Sequence, residues 1–197
     1  ISKNTIVLFT SDNGPWLRFK KHGGSAGPLR AGKGTTFEGG QRVPTIFWGP
    51  GIVKSGIVND MGSTLDIINT FSKLADLEIP NDRKMDGYDL SNVLMSLESS
   101  PRKEFYYWGF AELHAYRYKN LKLHIKQREP VNYGRPTIKL ENPELYDLST
   151  DFSEKFDISL SNQESVTNML KSIEEHLIDV EGSTPDQLTG RIKNYGN

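Results

Sequence analysis

Apolar and polar positions along the chain change regime near its middle. The run Thr5-Ile-Val-Leu-Phe-Thr10 is apolar or β-branched throughout, which predicts a buried strand. It stops at Ser11-Asp-Asn-Gly14, where Gly14-Pro15 turns the chain. Thr45-Ile-Phe-Trp48 predicts a second short buried strand, closed by Gly49-Pro50-Gly51. Between the two, Gly14 to Gly40 is rich in glycine and reads as one long loop, and long loops in compact domains are functional or disordered. Ser63 to Leu77 predicts a helix capped by Ser63 or Thr64, with Leu65, Ile68, Phe71, Ser72 and Ala75 along one face. A shorter helix follows from Leu90 to Leu97.

After a polar stretch from Glu98 to Lys103 the period changes to two. Glu104 to Trp108, Leu113 to Tyr118, Leu121 to Lys126 and Glu144 to Leu148 predict strands, with Lys119-Asn120 as a hairpin turn. Glu164 to Val180 predicts an amphipathic helix whose stripe of Val166, Met169, Leu170, Ile173, Leu177 and Val180 covers one face of that antiparallel sheet. The tail from Glu181 is polar and is expected to be poorly ordered. The expected class is α/β, with a boundary that divides the chain into 1–102 and 103–197.

Composition narrows the function. The chain has 197 residues and a formal net charge of -1, so it carries no global attraction to nucleic acid or to an anionic membrane. Tyr106, Tyr107, Trp108, Tyr116 and Tyr118 therefore read as a packed sheet face rather than as a base-stacking platform. No apolar run approaches the ~20 residues of a membrane-spanning helix. Without cysteine there are no disulfides and no thiolate metal sites.

Chemistry gathers around the first strand and the loop after it. In open α/β sheets ligands sit beyond the carboxyl ends of strands, where Asp12 and Asn13 lie. A carboxylate and a carbonyl oxygen are hard ligands suited to Ca²⁺ or Mg²⁺, although Asp-Asn-Gly is also a common turn sequence. Lys33, among Gly32, Gly34, Gly39 and Gly40, offers an ammonium suited to an anionic oxygen. Gly27 to Lys33 approaches a phosphate-binding loop, but residue 34 is Gly where that motif needs Ser or Thr. Arg42, four residues after Glu38, is expected to pin the loop through a bidentate pair. His22 reads as exposed, with a pocket contact as the alternative. His114 could reach a cleft from the small sheet, and His114 and His124, ten residues apart, lack a third ligand for zinc. His176 reads as exposed on the last helix.

Four segments in order resemble the sulfatase family, arylsulfatases in particular. They are Phe9-Thr-Ser-Asp-Asn-Gly14, Ala31-Gly-Lys-Gly-Thr-Thr-Phe-Glu-Gly-Gly-Gln-Arg-Val-Pro44, the Phe105 to Gly109 and Glu112 to His124 pair, and Glu144-Leu-Tyr-Asp-Leu-Ser-Thr-Asp-Phe-Ser-Glu-Lys155. Ala31 stands where the family has glycine, and Phe152 where proline is usual. The resemblance implies the C-terminal part of a sulfatase-like mixed-sheet domain, followed by a small antiparallel sheet packed by a C-terminal helix. It implies sulfate-ester hydrolysis, with Asp12 and Asn13 as ligands of a divalent metal, Ca²⁺ ahead of Mg²⁺. Lys33 is implied as the catalytic, sulfate-binding cation, with His22 and His114 as further substrate contacts.

The family's C/S-x-P-S-R segment, source of the formylglycine nucleophile, has only a near-match at Ser99-Ser-Pro-Arg102. That nucleophile and the remaining metal ligands are expected in an N-terminal part of the same protein, and the chain alone is expected to be inactive. The implied partner is a sulfated small molecule or carbohydrate, with no nucleic acid and no membrane. The implied location is bacterial periplasm or exterior, or lysosomal or secreted in a eukaryote. A phosphoester or phosphonate hydrolase of the same superfamily and a non-catalytic interaction fragment are the alternatives.

Overall fold

A computed structural model describes residues 1–79, 81–109, 112–128 and 137–183. Its elements in chain order are β1 (Val7–Thr10), α1 (Glu38–Gln41), β2 (Thr45–Trp48), α2 (Asp66–Leu74), α3 (Ser91–Ser96), β3 (Glu104–Gly109), β4 (Glu112–Tyr118), β5 (Leu121–Gln127), β6 (Ile138–Asp147) and α4 (Gln163–Ser183). The protein is mixed α/β, with a small antiparallel sheet and a C-terminal helix as the sequence predicts. Two compact units form: Ile1–Ser11 with Pro44–Lys103, and Asp12–Val43 with Glu104–Asn197. The glycine-rich segment, which a linear division at 102/103 assigns to the first domain, thus folds with the C-terminal sheet. The polar tail beyond Ser183 lies outside the described residues.

In the first unit β1 and β2 pair antiparallel, with Val7 opposite Trp48 and Phe9 opposite Ile46. Both strands form on the apolar runs, but their expected burial is corrected. Phe9 is 65% exposed and Ile46 59%, and Val7 and Trp48 share that open face. Side chains of a strand alternate between faces, and nothing described in this unit covers this one.

Helix α2 is shorter than the predicted 63–77 span and turned over. Leu65 and Ile68 are exposed, while Asp66, Asn69 and Thr70 are buried. The polar side is inward because most of its groups find partners, Asn69 Oδ1 being the exception. Asp66 receives Arg102 through Nε and Nη2, and the backbone N–H groups of Ser63 and Tyr88, each at 2.8 Å. Asn69 donates to the Gly87 carbonyl, and Thr70 Oγ1 accepts the Leu90 N–H. A buried guanidinium–carboxylate pair with its other hydrogen bonds satisfied holds the helix where an apolar stripe was expected to.

The second unit carries an antiparallel meander in the order β3-β4-β5-β6. Lys119 takes φ +53° in the β4–β5 turn, and β6 slips register opposite the stretch between His124 and Lys126. One sheet face packs Tyr116, Leu123 and Leu145 against Val166, Met169 and Ile173 of α4. The buried stripe of α4 is narrower than predicted, since Leu170 and Leu177 stay more than a third exposed. The other sheet face is polar and carries the glycine-rich segment, as described next.

Candidate functional site

The turn after β1 and the loop around Lys33 are stitched together through backbone. The Gly14 N–H donates to the Gly40 carbonyl at 3.0 Å, and the Lys33 N–H donates to the Pro15 carbonyl at 2.9 Å. These bonds need bare backbone. A Cβ on Gly14 would fall 1.8 Å from the Gly39 oxygen, and one on Gly32 would fall 2.4 Å from the Pro15 oxygen. Here the glycines serve close approach of two strands of loop, with Gly34 adding φ +88°. Asp12 and Asn13 are therefore held in sequence next to Gly14, on the same stitched segment as Lys33. The Lys33 ammonium lies 5.9 Å from the Trp16 ring centroid, near enough to favour the charge electrostatically.

Just past Lys33 the chain sinks. Thr35 to Gly40 are all buried. Thr35 Oγ1 donates to the Gly32 carbonyl at 2.8 Å, and Gln41 Nε2 caps the Thr35 carbonyl at 2.8 Å. Under this block lies the polar face of the sheet. Lys122 of β5, with no exposed surface, donates to the Thr36 carbonyl at 2.7 Å and to Glu38 Oε1 at 2.9 Å, and reaches Glu154 Oε1 at 3.0 Å. Three acceptors meet the three N–H groups of one ammonium. Glu154 Oε2 accepts the Glu38 N–H at 2.7 Å, at the start of α1, and Oε1 also meets His124 Nε2 at 2.8 Å. Arg30 donates to the Glu154 carbonyl at 2.6 Å and stacks over Phe37, which in turn stacks on His124.

The electrostatics follow from that packing. Burial alone would raise the Glu154 carboxyl, but the His124 hydrogen bond and the Lys122 charge outweigh it and hold it at about 2. Glu38 is likewise held below its ordinary value, burial being overcome by Lys122 and Arg117. For Lys122 burial disfavours the charge, yet Glu38, Tyr107 and Glu154 raise its pKa. Burial lowers the His124 pKa, against the hydrogen bond to Glu154 that raises it. The cations Lys122 and Arg117 meet the Glu38 carboxylate, Lys122 also reaches that of Glu154, and Arg30 adds a third positive charge at the Glu154 backbone.

The predicted site residues land in three places. Asp12, Asn13 and Lys33 share the stitched segment, Asp12 exposed and Asn13 and Lys33 half-buried. His22 is exposed at the end of a 3-10 turn spanning Leu17–His22. His114 is buried beneath its own sheet: its ring fills the space over Gly109, with Glu112 at 4.0 Å and Thr137 at 3.5 Å, and burial lowers its pKa to about 4. The expected Glu38–Arg42 side-chain pair is replaced by Glu38 with Lys122 and Arg117, because the buried carboxylate faces the sheet while Arg42 points to the exposed side. His176 is half-buried, stacked 3.6 Å from Tyr106, and accepts from Trp108 Nε1 at 3.3 Å. The adjacent oxygen donors of Asp12 and Asn13 fit a hard divalent cation in kind. Among the described residues no group of three or more His, Cys, Asp or Glu could hold a metal, and two oxygen donors alone do not complete a divalent site.

Sequence reasoning missed Lys122, Glu154 and the role of His124. The signal was present: Lys122-Leu-His124 puts two polar side chains on the same face of a strand flanked by apolar residues. A charged residue at a central strand position calls for a buried partner.

The family model described as "Sulfatase" matches residues 1–77, and that described as "C-terminal region of aryl-sulfatase" matches residues 100–193. Arylsulfatase A of Bos taurus is 34% identical over 186 residues, covering 87% of this chain and 36% of its own length. N-acetylgalactosamine-6-sulfatase of Rattus norvegicus is 49% identical over 111 residues, 55% of this chain and 21% of its own. The solved structure of the PsFucS1 sulfatase from Pseudoalteromonas sp. superposes with a TM-score of 0.80 at 28% identity, over 91% of this chain and 38% of that one. The chain thus spans well under half the length of the relatives it matches.

Proposed function

The chain belongs to the sulfatase family, and we propose that the whole protein hydrolyses sulfate esters, with Lys33 as the anion-binding cation of the site. One observation supports this reading above the others. The pair of backbone bonds from Gly14 to Gly40 and from Lys33 to Pro15 ties a carboxylate–amide pair to a lysine on a single glycine-lined segment. In this reading Asp12 and Asn13 hold a divalent cation, Ca²⁺ first and Mg²⁺ second. When bound, that ion supplies a Lewis acid and a template for sulfate oxygens. The nucleophile is a formylglycine outside these 197 residues.

The work assigned to this chain's own residues is electrostatic. As the ester S–O bond breaks, negative charge grows on the leaving oxygen, and a fixed ammonium at Lys33 stabilises it more than it stabilises the ground state. Overall the ester and one water give an alcohol and hydrogen sulfate. Trp16, whose ring centroid lies 5.9 Å from the Lys33 ammonium, and the mixed aromatic and basic segment from Leu17 to His22 beside it suit, in this reading, a sulfated small molecule or carbohydrate. Export to a periplasm, cell exterior or lysosome belongs to the same reading.

The test is turnover by the full-length protein with its nucleophile matured and Ca²⁺ supplied. Hydrolysis of an aryl sulfate, lost on chelation and absent from the isolated 197-residue chain, is the expected result. Faster hydrolysis of the matching phosphate or phosphonate ester would replace the sulfate assignment.

A further inference from the structure

Beneath the Lys33 loop lies a buried cluster of paired ionisable groups that the proposed chemistry does not use directly. Its members come from far apart in sequence: Glu38 from the loop, Lys122 and His124 from β5, and Glu154 from the segment after β6. Burying this many ionisable groups is unfavourable unless each is paired, and such clusters contribute less net stability than apolar packing of the same volume. The opposite, apolar face of the same sheet shows that this fold had that option, since Tyr116, Leu123 and Leu145 pack there against α4. What the ionic face supplies instead is direction. The Lys122 hydrogen bonds end on the Thr36 carbonyl and the Glu38 carboxylate, and Glu154 Oε2 accepts the Glu38 backbone N–H. All three contacts grip the chain three to five residues beyond Lys33. Between the grip and Lys33 there is little slack. The Thr35 N–H and Oγ1 both close back on the Gly32 carbonyl, and the Gly39 N–H bonds the Arg30 carbonyl at 2.8 Å.

We propose that Lys122, braced by Glu154 and His124, is a positioning residue: the C-terminal sheet acts as the anvil on which the Thr36–Glu38 segment is fixed, and through it the ammonium of Lys33 is set in the site. Lys122 itself touches no substrate. The proposal rests on the reading of Lys33 as the anion-binding cation, and it concerns how that cation is held.

Three measurements on the full-length protein separate the possibilities. In Lys122→Met the amides of residues 32–40 lose hydrogen-exchange protection while α4 keeps its own. Turnover of a sulfate ester falls roughly 100-fold, the scale on which a misplacement of about 1 Å acts. The Lys33→Ala/Lys122→Met double variant turns over within about threefold of Lys33→Ala alone, because a positioning residue has nothing left to position. Glu154→Gln serves if Lys122→Met does not fold. It keeps the side-chain volume but can turn a donor toward the Glu38 N–H, and the same three results are expected in weaker form. Unchanged protection of residues 32–40 in both variants overturns the clamp, and multiplicative losses in the double variant overturn its action through Lys33. If protection falls but the parent protein shows no sulfatase turnover, the clamp stands and the sulfatase reading of the site fails.

Discussion

Gly14 lies so close to Gly39 that it can carry no side chain: a Cβ on Gly14 would sit 1.8 Å from the Gly39 carbonyl oxygen, and across the same seam a Cβ on Gly32 would sit 2.4 Å from the Pro15 oxygen. The neighbours in both cases are backbone atoms, which cannot rotate away. The Asp12–Gly14 turn and the lysine loop therefore depend on each other's glycines. Gly14→Ala in the full-length protein is expected to unpick the Gly14–Gly40 hydrogen bond, to lower thermal stability, and to abolish turnover. Gly62→Ala is the control, since its Cβ would meet only Leu90 Cδ1, at an ordinary 3.4 Å. Equal melting temperatures and rates for the two variants would remove the stitched loop from the argument.

The Asp66–Arg102 pair gives a stability prediction for the first unit. Both side chains are buried, at 1% and 5% exposure. Arg102→Met leaves the Asp66 carboxylate buried with only backbone N–H partners, a defect of about 3–5 kcal/mol. Thermal unfolding of that variant should fall by on the order of 10 °C in a chain of this size. Arg102→Met combined with Asp66→Asn should recover part of the loss. A full-strength melting temperature in the single variant would show that the pair is not what holds α2 with its polar side inward.

That inverted helix marks where the sequence misleads. Leu65, Ile68, Phe71 and Ala75 have the spacing of a buried stripe, and periodicity identifies which side of a helix is apolar. It does not say whether anything lies against that side. The same holds for β1, where the run Ile6 to Phe9 reads as core but Phe9 is mostly exposed. Most elements were legible to within three residues because local pattern and turn residues set them, as at Lys119-Asn120 and Ser11 to Gly14, but β6 begins at Ile138, well before the expected Glu144, and α1 was not foreseen. The Lys33 segment was legible because its glycines are forced by backbone contact. The clamp beneath it was not, because Lys122 and Glu38 are 84 residues apart and pair only once the sheet has folded.

Acid should weaken the second unit in two stages. His114 is held at about 4 against an ordinary 6.5, and His124 is lowered as well, both by burial. The unfolded chain binds these protons first, so stability is complete above about pH 6.5 and falls as pH drops toward 4. Full expression of the His114 shift alone is worth on the order of 3 kcal/mol. Glu154, held at about 2 against 4.5, adds a second loss as pH falls from 4.5 toward 2. Urea unfolding of the chain between pH 8 and 3 measures this, and His114→Gln should flatten the upper stage only. Stability that rises from pH 7 to pH 5 would contradict the sign for both histidines.

Lys33 carries the sharpest chemical prediction. Its ammonium is half-buried on a loop whose backbone is fixed on both sides, so its loss should leave the fold nearly unchanged. Removing one preorganised donor to developing charge costs ~2.7–4 kcal/mol, or roughly 100- to 1000-fold in turnover. Lys33→Ala in the full-length protein is therefore expected to melt close to the parent and to turn over sulfate esters far more slowly. The pattern across leaving groups says which oxygen it serves. A defect that grows with the pKa of the leaving alcohol places the ammonium at the bridging oxygen, where charge appears as the S–O bond breaks. A defect of constant size places it at the non-bridging oxygens, whose charge changes little with the leaving group. Parental turnover across the whole series would leave Lys33 a bystander in a glycine-rich loop, and the sulfate-binding reading of this segment would fall with it.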